Sequence, residues 1–327
     1  MVSFLDLIYA RLANRKRFFH QGWGDLPLLE HLADTYRPGV DGDLEIEVNW
    51  EGEQEEGEFI IKRGWFDSPA RDVKLPEGSE KAYLEWVLPA SFDSRTPVTL
   101  HFAATGDEGF LRRRVAFALP LARQGVSSII LENPYYGLRR PVNQAGKFLS
   151  YVSDLWKMGR AAAVEGLAIF HWLRKQGYHL QVACGVSMGG HIAAKVANFS
   201  REPIGCVAFI APHSAEAVYL QGILRHYVAW EVLKRESQGR FDPEEFFRKV
   251  LSRTDIREMS PPHPIRAAVI IGALNDAYIP RQSVEILHNH WPEARIKWVR
   301  GGHVSAFLRH RKELLKGVQE VFEVLTK

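Results

Sequence analysis

From residue 97 to the end of the chain, short apolar runs alternate with longer stretches of helical character. This alternation restricts the fold more than any other feature. The runs Pro97–Phe102, Val126–Leu131, Gln181–Val186, Ile204–Ile210, Ala267–Ile271 and Ala294–Val299 read as buried strands. Gly109–Arg123, Phe148–Lys175, Met188–Ser200, Ser214–Arg253, Arg281–His290 and Val304–Leu325 read as helices. Strands joined through helices imply an α/β fold with a mostly parallel, doubly wound sheet. Ala82–Leu88 and the region before it lack intervening helices and read as an antiparallel edge. The 327 residues therefore divide into 1–80, an N-terminal helix and edge-strand region packed on the core, and the core itself, 81–327. About residues 211–262 the core carries a long insertion. With Tyr219, Leu220, Ile223, Leu224 and Tyr227 at helical spacing, it reads as a helical cap.

Composition narrows the function classes. Hydrophobic residues make up 46% and charged residues 25%, which excludes wholesale disorder. Cys184 and Cys206 sit in apolar runs without metal-ligand spacing, so a reduced, intracellular and cytoplasmic chain is expected. A net charge of +3, with no zinc-finger or RNA-binding motif, argues against nucleic acid as a partner. Asp41–Glu58 holds nine acids and no base, leaving +12 on the rest of the chain. Its acids alternate with Leu44, Ile46 and Val48, which predicts an exposed edge strand followed by a solvated loop. Near the N-terminus, Phe4, Leu5, Ile8 and Leu12 recur at helical spacing, and Arg11, Arg15, Lys16 and Arg17 follow them. That order is not a secretory signal. The segment reads as a helix docking on the domain, with peripheral membrane contact through it or through the cap as the sharper alternative. No segment has the twenty or so apolar residues of a membrane span.

The chemistry-bearing signal is Gly185-Val186-Ser187-Met188-Gly189-Gly190. An apolar strand leads into it and a small-residue helix leads out, the context of a nucleophile elbow. There a strained turn pushes the serine Oγ out at the carboxyl edge of the sheet, and the glycines allow strand and helix to approach. A serine needs a base, and the base an orienting acid, in chain order Ser, acid, His. Asp276 follows the next-to-last strand, and Pro280 between it and the next helix disfavours a capping role. His303 follows the last strand after Gly301 and Gly302. His191, His288, His290 and His310 fall on helices in the wrong places. An oxyanion needs two donors: the N–H of Met188, and one from Ala104 or Thr105 in the loop after the first core strand. Tyr135 and Tyr136 follow another strand and are candidates for the pocket wall. His101 is expected to brace a buried loop, and the basic runs Arg112–Arg114 and Arg139-Arg140 to form a solvated face. No HExxH, P-loop or dinucleotide fingerprint occurs, so neither metal nor cofactor is expected.

Six motifs together resemble the α/β-hydrolase domain-containing protein 18 family: Phe18–Gly24, Thr105–Asp107 with Arg112–Arg114, Leu131–Gly137, Val186–His191, Asp276–Arg281 and Trp298–Ala306. The resemblance fades across 211–262. It implies the α/β-hydrolase fold and a Ser–Asp–His triad on Ser187, Asp276 and His303. The expected activity is serine hydrolysis of a carboxylic ester, a lipid or other acyl ester, through an acyl-enzyme. The rivals are acyl transfer or thioester cleavage by the same triad, and a non-catalytic binding protein of this fold.

Overall fold

A computed structural model of the chain describes residues 2–35, 39–40 and 44–327. Its centre is one nine-stranded sheet in the order β1-β2-β3-β5-β4-β6-β7-β8-β9. The strands are β1 (Asn49–Glu56), β2 (Phe59–Asp67), β3 (Lys81–Pro89), β4 (Val98–Phe102), β5 (Ser127–Leu131), β6 (Gln181–Val186), β7 (Gly205–Phe209), β8 (Ala268–Ala273) and β9 (Arg295–Val299). β1, β2 and β3 pair antiparallel, β3 pairs antiparallel with β5, and every pair from β5 through β9 is parallel. This strand order and these directions are those of an α/β-hydrolase fold, as the family resemblance implies.

Two helices, α1 (Phe4–Ala13) and α2 (Leu26–Thr35), precede the sheet. α3 (Leu111–Arg113) and α4 (Leu119–Ala122), joined by a π-helical turn, link β4 to β5. α5 (Val152–Lys175) links β5 to β6, and α6 (Met188–Phe199) links β6 to β7. α7 (Trp230–Ser237) and α8 (Pro243–Ser252) lie in the insertion, α9 (Arg281–His290) precedes β9, and α10 (His303–Leu325) closes the chain. α5 and α6 cover one face of the sheet and α10 the other, so β4 through β8 are buried on both sides. That explains their unbroken apolar runs. The chain passes from β4 outward to β5, then returns to β6 on the other flank of β4. Such a reversal opens a crevice at the carboxyl ends of the strands.

Three expectations need correction. The acidic strand spans Asn49–Glu56, exposed along its whole length, and not the alternating Leu44–Val48. The turn at Gly57-Glu58 pairs Glu56 with Phe59 and so decides which residues enter the ladder. Leu44, Ile46 and Val48 instead pack half-buried against the core, while Asp41 and Asp43 lie outside the described residues. The insertion is not one continuous helix. Gly222 separates two short turns, Gln238 and Gly239 take left-handed conformations, and Pro243 starts α8 afresh. Phe18–Gly24 stitches this insertion to the core. The Phe18 N–H donates to the Tyr227 carbonyl (2.8 Å), and the Trp23 indole donates to the Leu233 carbonyl (3.0 Å). Finally, α1 forms where expected but turns its apolar residues outward. Phe4 is 75% and Leu12 58% exposed, and its buried residues are Asp6 and Ala10.

Within the arginine runs, Arg113, Arg114 and Arg139 are internal struts rather than a solvated face, while Arg112 is exposed and Arg140 half-buried. Arg139 is fully buried and grips the equally buried Glu165 through both Nη atoms (2.7 and 2.6 Å), while also donating to the carbonyls of Ser79 and Glu132. Arg113 donates to the carbonyls of His101 (3.1 Å) and Leu131 (2.5 Å), and Arg114 pairs with the buried Glu85. Cutting one partner from such a pair strands the other charge in the interior, at about 3–5 kcal/mol. Arg139→Ala is therefore expected to lower the unfolding free energy in urea by about that amount. A loss below about 1 kcal/mol would show the pair to be dispensable.

Candidate active site

Ser187 caps the end of β6 where the chain turns into α6, with φ 57° and ψ −121°. A non-glycine residue there costs about 1–3 kcal/mol and must be held by its surroundings. The Ser187 N–H donates to the Phe209 carbonyl (2.9 Å) on the neighbouring strand. A Cβ on Gly185 would overlap the backbone of Gly189, and a Cβ on Gly189 would overlap the Phe102 carbonyl at the end of β4. Only glycine lets three backbone segments meet at this point. Met188 begins α6, so its N–H has no acceptor within the helix.

Asp276 lies in the loop after β8, its side chain almost fully buried. Its Oδ1 accepts from the N–H groups of Tyr278 (2.8 Å) and Ile279 (2.9 Å). That leaves Oδ2 facing His303 Nδ1 at 2.7 Å. His303 is the first residue of α10, and its ring stacks on Tyr278 with centroids 4.8 Å apart. With Nδ1–H given to the carboxylate, a neutral imidazole keeps Nε2 as a bare acceptor. Burial pushes the His303 pKa down, but the charge and hydrogen bond of Asp276, helped by Asp6, outweigh it, and the pKa is raised.

Asp6 was not legible as a site residue. From α1, with no exposure, its Oδ2 accepts from the N–H groups of Ala277 (3.0 Å) and His303 (2.8 Å), and its Oδ1 from Val304 (3.0 Å). One carboxylate thus ties the acid loop to the histidine loop, and the Ser3 N–H adds a bond to the Asn275 carbonyl (2.9 Å). A Cβ on Gly302 would overlap Ser3 and the Asp6 carboxylate. The available signal was an acid set within an otherwise apolar helical stretch, in a sequence whose apolar stripe suggested the opposite face.

Ser187 and His303 both line a pocket of about 490 Å³ at the carboxyl edge of the sheet. Ala104 and Thr105 line it too, with Thr105 Oγ1 3.7 Å from Met188 Sδ, so the loop after β4 sits against the elbow. Much of the remaining wall is apolar: Leu5 and Tyr9 of α1, Phe117, Phe148, Leu224 and Phe307. Tyr135 and Tyr136 do not line it. Both are buried in the main core, where Tyr135 turns with φ 68° and its hydroxyl is bonded to Asp154. His101 lies within β4 rather than in a loop. Its ring bonds Thr99 Oγ1 at 3.0 Å, and burial, with the nearby Arg113, drives its pKa down to about 3.

A family model described as "Alpha/beta hydrolase domain containing 18" matches residues 16–244 and 241–324. Among solved structures, the acetyl xylan esterase from Paenibacillus sp. R4 aligns over 95% of this chain and 98% of its own, at 15% identity and a TM-score of 0.61. Acetyl xylan esterase 1 from Thermoanaerobacterium sp. JW/SL YS485 covers 96% and 98%, at 14% identity and 0.58. Est1E from Butyrivibrio proteoclasticus, solved with ferulic acid, covers 78% and 100%, at 15% identity and 0.53. At such identities the likeness is one of fold.

The site geometry predicts the titration of His303. By NMR, its pKa should lie above the ordinary histidine value of 6.5 and fall in Asp276→Asn, with a smaller fall in Asp6→Asn. An unchanged pKa in Asp276→Asn would contradict the carboxylate–imidazole pairing.

Proposed function

The chain belongs to the alpha/beta hydrolase domain containing 18 family, and on that premise we propose that it is a serine hydrolase that cleaves a carboxylic ester. The observation that carries this reading is the 2.7 Å hydrogen bond from His303 Nδ1 to the Asp276 carboxylate, with His303 and a strained Ser187 lining one pocket. In this reading Ser187 Oγ attacks the ester carbonyl while His303 Nε2 takes its proton. Asp276 holds the tautomer and stabilises the imidazolium. The Met188 N–H, with a second donor from Ala104 or Thr105, binds the oxyanion. His303 then protonates the departing alkoxide, and the acyl group on Ser187 is released to water by the same steps in reverse roles.

The substrate we infer has one large apolar arm, as a lipid ester does. Supporting this are the apolar walls of the wide pocket and the exposed Phe4, Leu5, Ile8 and Leu12 of α1 beside its mouth. Arg11, Arg15, Lys16 and Arg17 follow on the same segment, so peripheral contact with an anionic lipid surface through α1 is part of the proposal. Among the described residues, no helix is long and apolar enough to cross a membrane.

Steady-state hydrolysis of an activated ester tests the reading. Ser187→Ala and His303→Ala should each lower kcat/KM by about 10³-fold or more. Only neutral His303 can act as base, so kcat/KM should fall as the pH drops through its raised pKa. Wild-type rates in Ser187→Ala would remove the proposed chemistry.

A further inference from the structure

A second, smaller cavity of about 60 Å³ also opens on Ser187. It shares Thr105, Ser187 and Val218 with the wide pocket and otherwise has its own lining. His303 lines the wide pocket but not the small one, whereas Met188 lines the small one but not the wide one. Its near walls are apolar: Leu155, Trp156, Met158, Ile192 and Tyr219. Buried polar side chains reach it too: Lys195, His191 and Thr254, whose hydroxyl is already bonded to the Ala215 N–H and the Leu251 carbonyl.

Lys195 stands on α6 two turns beyond Ser187 and is only 5% exposed. Among the described residues, its ammonium has no acid within ion-pair reach and no hydrogen-bond acceptor; it has the Trp156 ring at 5.5 Å. Burial, reinforced by Arg160, lowers its pKa to about 8, which still leaves it largely charged at neutral pH. His191, 7% exposed, gives Nδ1–H to the Pro212 carbonyl (3.1 Å), so its Nε2 is a bare acceptor with no partner. Unpaired buried cations are costly, and natural interiors pair nearly all of them. Here the groups that would satisfy Lys195 and His191 are not supplied by the described chain.

We propose that this cavity is an acyl-arm subsite for an ester whose acyl chain is short and ends in a carboxylate, held by Lys195. The inference rests on the serine-hydrolase reading. The leaving oxygen must face His303, which donates its proton, and His303 belongs to the wide pocket. The leaving alcohol therefore occupies the wide pocket, and the acyl arm turns past Met188 into the small cavity. At about 60 Å³ against about 490 Å³ for the wide pocket, the small cavity has room only for a short arm. That suits a chain of two or three methylenes and a carboxylate. A water beside the carboxylate supplies the hydrogen that His191 Nε2 lacks.

The test compares the 4-nitrophenyl monoesters of succinate and glutarate with those of butyrate and pentanoate, in wild type and in Lys195→Met. The wild-type kcat/KM ratio, charged over neutral, should exceed about 10, as charge-assisted recognition allows, and approach one in Lys195→Met. Lys195→Arg should retain part of it. A wild-type ratio near one, or a ratio that Lys195→Met leaves unchanged, overturns the inference, and hydrolysis of the neutral esters in the same assay would leave the hydrolase reading standing. Binding is read separately in Ser187→Ala, which keeps the cavity without the nucleophile. Monomethyl glutarate should raise its Tm and should not raise that of Ser187→Ala/Lys195→Met. A Lys195-dependent rise without turnover of any ester by wild type supports the subsite and sinks the hydrolase reading. No Lys195-dependent rise means a cavity filled by water alone and overturns the subsite.

Discussion

At the carboxyl edge of the sheet, the first turn of α6 presses against the end of β4 so closely that a methyl group on Gly189 would strike the Phe102 carbonyl. Everything else in the site depends on that approach. It forces Ser187 to φ 57°, brings the Ala104–Thr105 loop beside the start of α6, and leaves the Met188 N–H at a helix end without an internal acceptor. The strain is affordable only because the strands on either side are buried and fully paired. Val182–Gly185 pairs with β4 on one flank and β7 on the other.

The proposed acid and base, Asp276 and His303, come from loops that would otherwise be independent. The acid follows β8 and the histidine begins α10, 27 positions later. Asp6 couples them, accepting three backbone hydrogen bonds from both loops at once. Three such bonds hold the two loops in register, and Asp6 also helps to raise the His303 pKa. On the opposite side, Arg113 binds the carbonyls that end β4 and β5, pairs with Asp107 at 3.1 Å and lies near Glu132. Glu132 accepts from the Gly109 N–H at 2.7 Å, and burial lifts its pKa to about 7 despite the opposing pull of Arg113. These buried groups fix the loop after β4, where the proposed second oxyanion donor lies. They account for Arg113, which lies in a run that, in sequence, resembles a surface patch.

The parallel sheet and the residues Ser187, Asp276 and His303 were legible because each is written locally: an apolar run, then its loop. The glycines around Ser187 encode a steric requirement that no other residue meets. What was not legible depends on which of two surfaces a pattern faces. The stripe Phe4, Leu5, Ile8 and Leu12 marks an apolar side but not its partner, and the helix packs through Asp6 and Ala10 instead. Tyr135 and Tyr136 follow a strand at the right edge, yet the left-handed turn at Tyr135 takes both into the core. Lys195 sits eight residues past Ser187 on a helix that reads as simply apolar, and only the tertiary packing reveals that it has no counter-ion among the described residues.

In the proposed chemistry, Ser187 is an activated nucleophile, made so by His303 in the hold of Asp276. The most direct measurement is labelling of the folded chain by a fluorophosphonate, with the modified peptide identified by mass spectrometry. Phosphonylation of Ser187 in wild type, greatly slowed in His303→Ala, is the predicted result. Labelling that is absent from folded wild type in the presence of anionic vesicles, or that maps to another residue, would contradict it.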